Sequence, residues 1–170
     1  MRELASRTIE RFLQSESAHA AGSDLSPPEV MLRNAARDLD KPLDELIEDL
    51  GAWLVRQHEI WRLLRFCGSD FLDFLLRLDE LPERMRLVTD DVAVPEIALS
   101  RGEGGLVWVT LGRGSPRWSA LLAGLLRAMA DDYGALCVIT RDAGGICIDV
   151  SDLAFAEART FSLSARAAAS

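Results

Sequence analysis

The apolar positions follow one periodicity up to about residue 88 and another from residue 92 onward. In the first half they recur every three or four residues, which predicts amphipathic helices. Residues 2–14 carry Leu4, Ile9, Phe12 and Leu13 at irregular helical spacing, and residues 15–26 are a small-residue linker. Ser26 before Pro27-Pro28 reads as a helix start, with Met31, Leu32, Ala35, Ala36 and Leu39 as its apolar positions. Asp40 is expected to cap the next helix, with Pro42 in its first turn. From Leu43 to Leu64 one broad stripe (Leu43, Leu46, Ile47, Leu50, Trp53, Leu54, Trp61, Leu64) predicts a long core helix bent at Gly51. Gly68-Ser69 interrupts it, Ser69 is expected to cap a helix bearing Phe71, Leu72, Leu75, Leu76 and Leu78, and the helical half closes near Arg86.

In the second half the apolar runs shorten. Residues 93–99 and 106–111, separated by the glycine-rich turn 101–105, read as a hairpin. A helix over 116–132 carries Trp118, Leu121, Leu122, Leu125 and Met129 at i, i+3, i+4, i+7 and i+11. Strands at 135–141 and 146–150 flank the turn 142–145, so the second half reads ββαββ. A short strand is expected at 160–163 and a disordered tail at 165–170. The fold class is therefore α+β, one domain over 1–170: helices in 1–88 packed on an antiparallel sheet of about four strands, with one crossing helix, in 92–164.

Composition narrows the function classes. The 170 residues are 49% apolar, enough for a packed core. A net charge of −8, from 27 acidic and 19 basic residues, opposes binding to a phosphodiester backbone or an anionic lipid surface. No apolar run approaches the roughly 20 residues of a membrane span, and no basic-then-apolar leader opens the chain, so a cytoplasmic location is expected. Cys67, Cys137 and Cys147 lack metal-type spacing. With the turn at 142–145, Cys147 pairs with Thr140 and Cys137 lies on the opposite face, so these two are not expected to be bridged.

The chemistry concentrates in Arg113-Gly-Ser-Pro-Arg117. Alternation places Arg113, Ser115 and Arg117 on one side of a strand-to-helix turn, where two guanidinium groups and a hydroxyl suit a carboxylate or phosphate. The plainer reading makes Ser115 the N-cap of the following helix and pairs the arginines with surface acids such as Asp131 or Asp132. The histidines, His19 in the linker and His58 at the edge of the helical stripe, supply no base to a nucleophile, so no enzyme activity is expected. The glycines of the first hairpin precede a strand, unlike a phosphate loop.

The order of four segments resembles the haem nitric-oxide/oxygen binding (H-NOX) family. They are FLxxLDxL at 74–81, Val-Pro-Glu-Ile at 94–97, x-Ser-x-Arg at 114–117 and the Leu-Leu-x-Gly-Leu-Leu helix. The resemblance implies a haem ligated by a histidine directly after LDxL, with a Tyr-x-Ser-x-Arg turn holding the propionates. In this sequence the histidine position falls on Pro82, the tyrosine on Arg113, the serine on Ser115 and the arginine on Arg117. Proline has no lone pair for iron, so the histidine–iron switch that the family uses is not expected, and haem is not the expected cofactor. Cys67 and His58 are the remaining candidates for a metal ligand. The resemblance implies a sensor or signalling adaptor that regulates a partner protein of the kinase or cyclase type. The alternatives are a haem-based gas or redox sensor with another axial ligand, and a binding protein for an apolar carboxylate whose head meets Arg113 or Arg117.

Overall fold

The computed structural model describes residues 27–86, 94–112 and 116–150; the expected elements at 2–14, 15–26 and 160–163 and the tail at 165–170 lie outside them. Helix α1 (Pro27–Asp38) buries Leu32 and Ala36. It ends because Asp40 adopts a left-handed backbone (φ 49°), with Lys41 N–H donating to Ala36 O at 2.9 Å and Asp40 N–H to Arg37 O at 3.1 Å. This six-to-one closure is a helix stop. Asp40 therefore terminates α1 instead of capping the next helix, and Leu39, expected on the core face, is left 64% exposed in the turn.

The long helix read over 43–64 is two helices, α2 (Leu43–Val55) and α3 (His58–Arg65). The break falls at Arg56-Gln57, where Arg56 and Gln57 N–H groups close short turns onto Trp53 and Leu54 carbonyls at 3.0 Å. Gln57 is extended (φ −77°, ψ 122°). Gly51 sits inside α2 for a different reason: a Cβ there would lie 2.0 Å from Leu121 O.

Asp70, not Ser69, caps α4 (Phe71–Leu76): its side chain accepts from Asp73 N–H at 2.9 Å, while Asp73 reaches back to Ser69 N–H at 3.0 Å. These reciprocal bonds satisfy two donors that the first turn leaves orphaned. A short 3-10 turn, Leu78–Glu80, leads into α5 (Leu81–Arg86), where Pro82 is buried at the second position. Proline is tolerated there because a first-turn N–H has no partner within the helix.

Strands β1 (Ile97–Arg101), β2 (Leu106–Leu111), β3 (Cys137–Asp142) and β4 (Gly145–Val150) form an antiparallel sheet in the order β1-β2-β4-β3. β1 starts later than its pattern suggests. Pro95 has no N–H for a ladder, and pairing begins at Ile97 opposite Leu111. The β3–β4 turn has the expected register: Thr140 faces Cys147, and Asp142 Oδ1 accepts from Gly144 and Gly145 N–H at 2.7 and 3.1 Å. All three cysteines are free. Cys137 is on the face that carries Ile139, and Cys147 is on the other.

Helix α6 (Pro116–Tyr133) crosses from β2 to β3 and packs on the sheet through Leu122, Ala123, Leu126, Met129 and Ala130, which share one core with Val107, Val109, Ile146 and Ile148. On its other side α6 touches α2 almost backbone to backbone. A Cβ at Gly124 would lie 1.8 Å from Glu48 O. The Glu48 carboxylate on α2 pairs with Arg127 on α6 and accepts from Arg141 on β3 at 3.3 Å, while Arg141 also reaches Asp44 at 2.9 Å. Among the described residues, six helices and four strands thus make the expected α+β architecture. No described helix is long and apolar enough to cross a membrane.

Candidate functional site

The segment FLLRLDEL places its apolar residues inward: Phe74, Leu75, Leu78 and Leu81 are all buried. The turn after Leu76 rotates the chain so that α5 presents Leu81 and Met85 to a cavity of about 80 Å³. The opposite wall is the first half of α6, through Trp118, Leu121, Leu122 and Leu125. Leu54 of α2, Ile60 of α3, Val94 and Pro95 before β1, and Ile97 and Leu111 at the paired ends of β1 and β2 complete it. The two segments singled out in the sequence are therefore brought to one place. Pro82 follows Leu81 on one wall, and Arg117 precedes Trp118 on the other.

Every described residue around the cavity is apolar, and no polar surface faces it. Arg117 is half-buried in the first turn of α6, while Arg113 and Ser115 lie outside the described residues. Asp131 and Asp132 do not pair with Arg117. At 1.5 Å per residue they stand about 20 Å further along α6. Asp132 instead accepts from Trp61 Nε1 at 2.9 Å and pairs with Arg65 at 3.5 Å, while the Arg65 guanidinium lies 4.0 Å from the centre of the Tyr133 ring. This cluster joins α3 to the far end of α6.

The ligand candidates lie apart from the cavity. His58 is the exposed first residue of α3, its ring 6.4 Å from that of Trp61. Cys67 is buried in the main core and points its thiol at Leu63 O, 3.2 Å away. Burial pushes the Cys67 thiol above its ordinary 9.0, the opposite of what a reactive or metal-binding thiolate needs. Among the described residues no group of three or more His, Cys, Asp or Glu side chains is placed to hold a metal.

The Cys67 shift sets a pH dependence. The folded state keeps this proton longer than the unfolded chain, so its contribution is complete below about pH 9 and is lost as pH rises through the folded value. The Tyr133 hydroxyl, raised from 10.0 chiefly by burial, acts in the same direction. The urea midpoint is expected to fall above pH 9, and the fall should be shallower in Cys67→Ala; an equally steep fall there removes Cys67 from the account.

One polar group near the site has no hydrogen-bond partner: Ser119 Oγ, two residues after Arg117, is buried and unsatisfied. A buried hydroxyl in this state costs free energy, and serine is a poorer helix former than alanine. Ser119→Ala should therefore raise stability by about 1 kcal/mol, read from denaturant unfolding. A loss of stability would show that the hydroxyl does have a partner.

A tetrapyrrole does not fit the space that the described residues enclose. Sites for ligands of that size enclose roughly 300–1,000 Å³, several times the present 80 Å³. Iron also requires a nitrogen, oxygen or sulfur ligand, and the thioether of Met85 is the one such donor among the described lining residues, since the indole nitrogen of Trp118 carries a proton. Sequence reasoning found the α6 stripe but not this cavity. The periodicity that turns Trp118, Leu121, Leu122 and Leu125 inward does not say whether their far side meets atoms or space.

Comparison with known proteins places the fold. A variant of an H-NOX protein from S. oneidensis in the Fe(II) ligation state is 15% identical, with a TM-score of 0.60 over 74% of this chain and 72% of that one. An H-NOX protein from the same organism in the Fe(II)NO ligation state is 13% identical, with a TM-score of 0.58 over 87% and 96%. A T. tengcongensis H-NOX variant is 14% identical, with a TM-score of 0.56 over 75% of each chain. At these identities the likeness concerns the fold. Among curated proteins, none matches the chain at a significant level. The family model described as Haem-NO-binding matches residues 26–140, a span that takes in both segments meeting at the cavity. With helices, sheet and motif order all in agreement, the chain belongs to the Haem-NO-binding family.

Proposed function

We propose that this chain is a sensor or signalling adaptor domain of its family that works without a histidine–iron switch and regulates a partner protein. The observation that carries the reading is Pro82, buried in α5 where the motif of the resemblance has histidine, beside a small cavity with apolar walls. Non-catalytic sensing fits the same surroundings, because among the described residues no nucleophile and base converge there. By family resemblance the partner is a signalling protein of the kinase or cyclase type. Arg113, Ser115 and Arg117 are then the remainder of a propionate-type anion site whose cofactor has been given up.

The test is a haemin titration of the purified protein, followed from the ultraviolet into the visible. The expected result is a weak, non-saturating absorbance without a defined Soret maximum. A saturable one-to-one Soret band would overturn the reading and favour a haem sensor with a replacement ligand; its loss in Met85→Leu, Cys67→Ala or His58→Ala would then identify that ligand.

A further inference from the structure

We infer that the cavity walled by Leu81, Met85 and Trp118 is a binding site for a small uncharged apolar molecule no larger than benzene. This rests on the reading above, that the site no longer holds haem, and it names the ligand class that the remaining space accepts. A tetrapyrrole is too large, and a carboxylate is the wrong chemistry. Nothing polar faces the cavity among the described residues, so a charged head group drawn inside would lose its hydration without gaining a partner. The wall is lined by Trp118, the residue after the Arg113–Arg117 motif, and not by Arg117.

Size points the same way. The space is about 80 Å³, about half of an enclosed aliphatic cavity of about 150 Å³ that stays dry and takes up benzene, so benzene is the upper limit and would leave one edge of its ring among the half-buried wall residues. Close-packed interiors leave few voids, and each costs stability. An apolar occupant recovers dispersion contacts that no wall atom makes with empty space.

Access and consequence follow from the walls. Ile60, Met85, Val94, Pro95, Leu111 and Trp118 are half-buried, so the described walls do not seal the cavity from solvent. An occupant would touch both the helical half, at Leu54 and Leu81, and the sheet, at Ile97. Its binding is thereby linked to the packing of one half against the other.

The test is methyl NMR of the full chain titrated with benzene and, separately, with decanoate. Met85 lines the cavity, whereas Met129 is buried in the same core away from it, so the two methionine methyls form an internal pair. With benzene, Met85 and the wall leucines should shift saturably at one-to-one stoichiometry while Met129 stays in place; decanoate should move none of them. Leu122→Phe, which fills the space, should weaken benzene binding at least tenfold. Because that variant can disturb the fold, the native protein decides first. Absence of a saturable benzene shift, equal shifts at Met85 and Met129, or tighter binding of decanoate each overturns the inference. Haemin separates the two readings: a stoichiometric Soret band removes the proposed function, whereas no Soret band and no benzene site removes the small-ligand inference and leaves the function standing.

Discussion

Gly124→Ala is expected to destabilise the protein by at least about 4 kcal/mol, well beyond the range of most single substitutions. Helix propensity predicts the reverse, because alanine is better than glycine inside a helix by about 1 kcal/mol. The sign reverses because the added methyl group would sit 1.8 Å from Glu48 O and 2.6 Å from Glu48 C, a backbone that cannot rotate aside. α2 meets α6 through Gly51 in the same way, with Leu121 O at 2.0 Å and Leu125 N at 2.9 Å from the position of a Cβ. The two helices can make room only by separating, which strips contacts from Ile47 and Leu54 and pulls Glu48 from Arg127 and Arg141. A fall in the urea midpoint at unchanged slope checks this. A gain of about 1 kcal/mol would mean that propensity alone governs the position and that α2 and α6 lie further apart than described.

Phe74→Ala is expected to cost about 3–5 kcal/mol, the usual range for emptying a buried phenylalanine site. Phe74 is 1% exposed and its ring lies 6.1 Å from Phe71 and 5.8 Å from Tyr133. Collapse into the space is opposed from two sides. Gly68 is so close that a Cβ there would stand 2.3 Å from Phe74 N, and Tyr133 is fixed by donating its hydroxyl to Gly68 O at 3.0 Å. The comparison is Phe66→Ala: Phe66 is 75% exposed, and its truncation should change stability by less than about 0.5 kcal/mol. Parallel denaturant curves of the two variants decide the point. A Phe74 loss near that of Phe66 would show that the aromatic cluster is not a packed unit.

Legibility differed between elements for physical reasons. The two-residue turn between β3 and β4 was readable, down to Cys147 opposite Thr140, because Asp-Ala-Gly-Gly carries its own hydrogen-bonding and conformational signals. The division of 43–64 into two helices was not. Arg56 and Gln57 are good helix formers, and nothing local to them requires a break. The cap of α4 was displaced by one residue, since Ser69 and Asp70 are both good caps and the position of Asp73 chose between them. At the site, the sequence marked Pro82 and Arg117 but left the lining unidentified.

The sequence by itself determined the helical and sheet halves, the two hairpins, the crossing helix and a proline, Pro82, at the position where the resemblance implies a histidine, because each is written in periodicity, turn chemistry or the identity of one residue; the pairing of β2 with β4 was not among them. Tertiary structure alone decided that Gly51 is a point of helix contact instead of a bend, that Gly124 is another such point, and that Asp132 serves Trp61 and Arg65. It also decided that Leu81, next to Pro82, and Trp118, next to Arg117, wall one small apolar cavity. These are distances between segments far apart in the chain. They follow from how whole faces pack, a sum over many weak contacts that no local pattern contains.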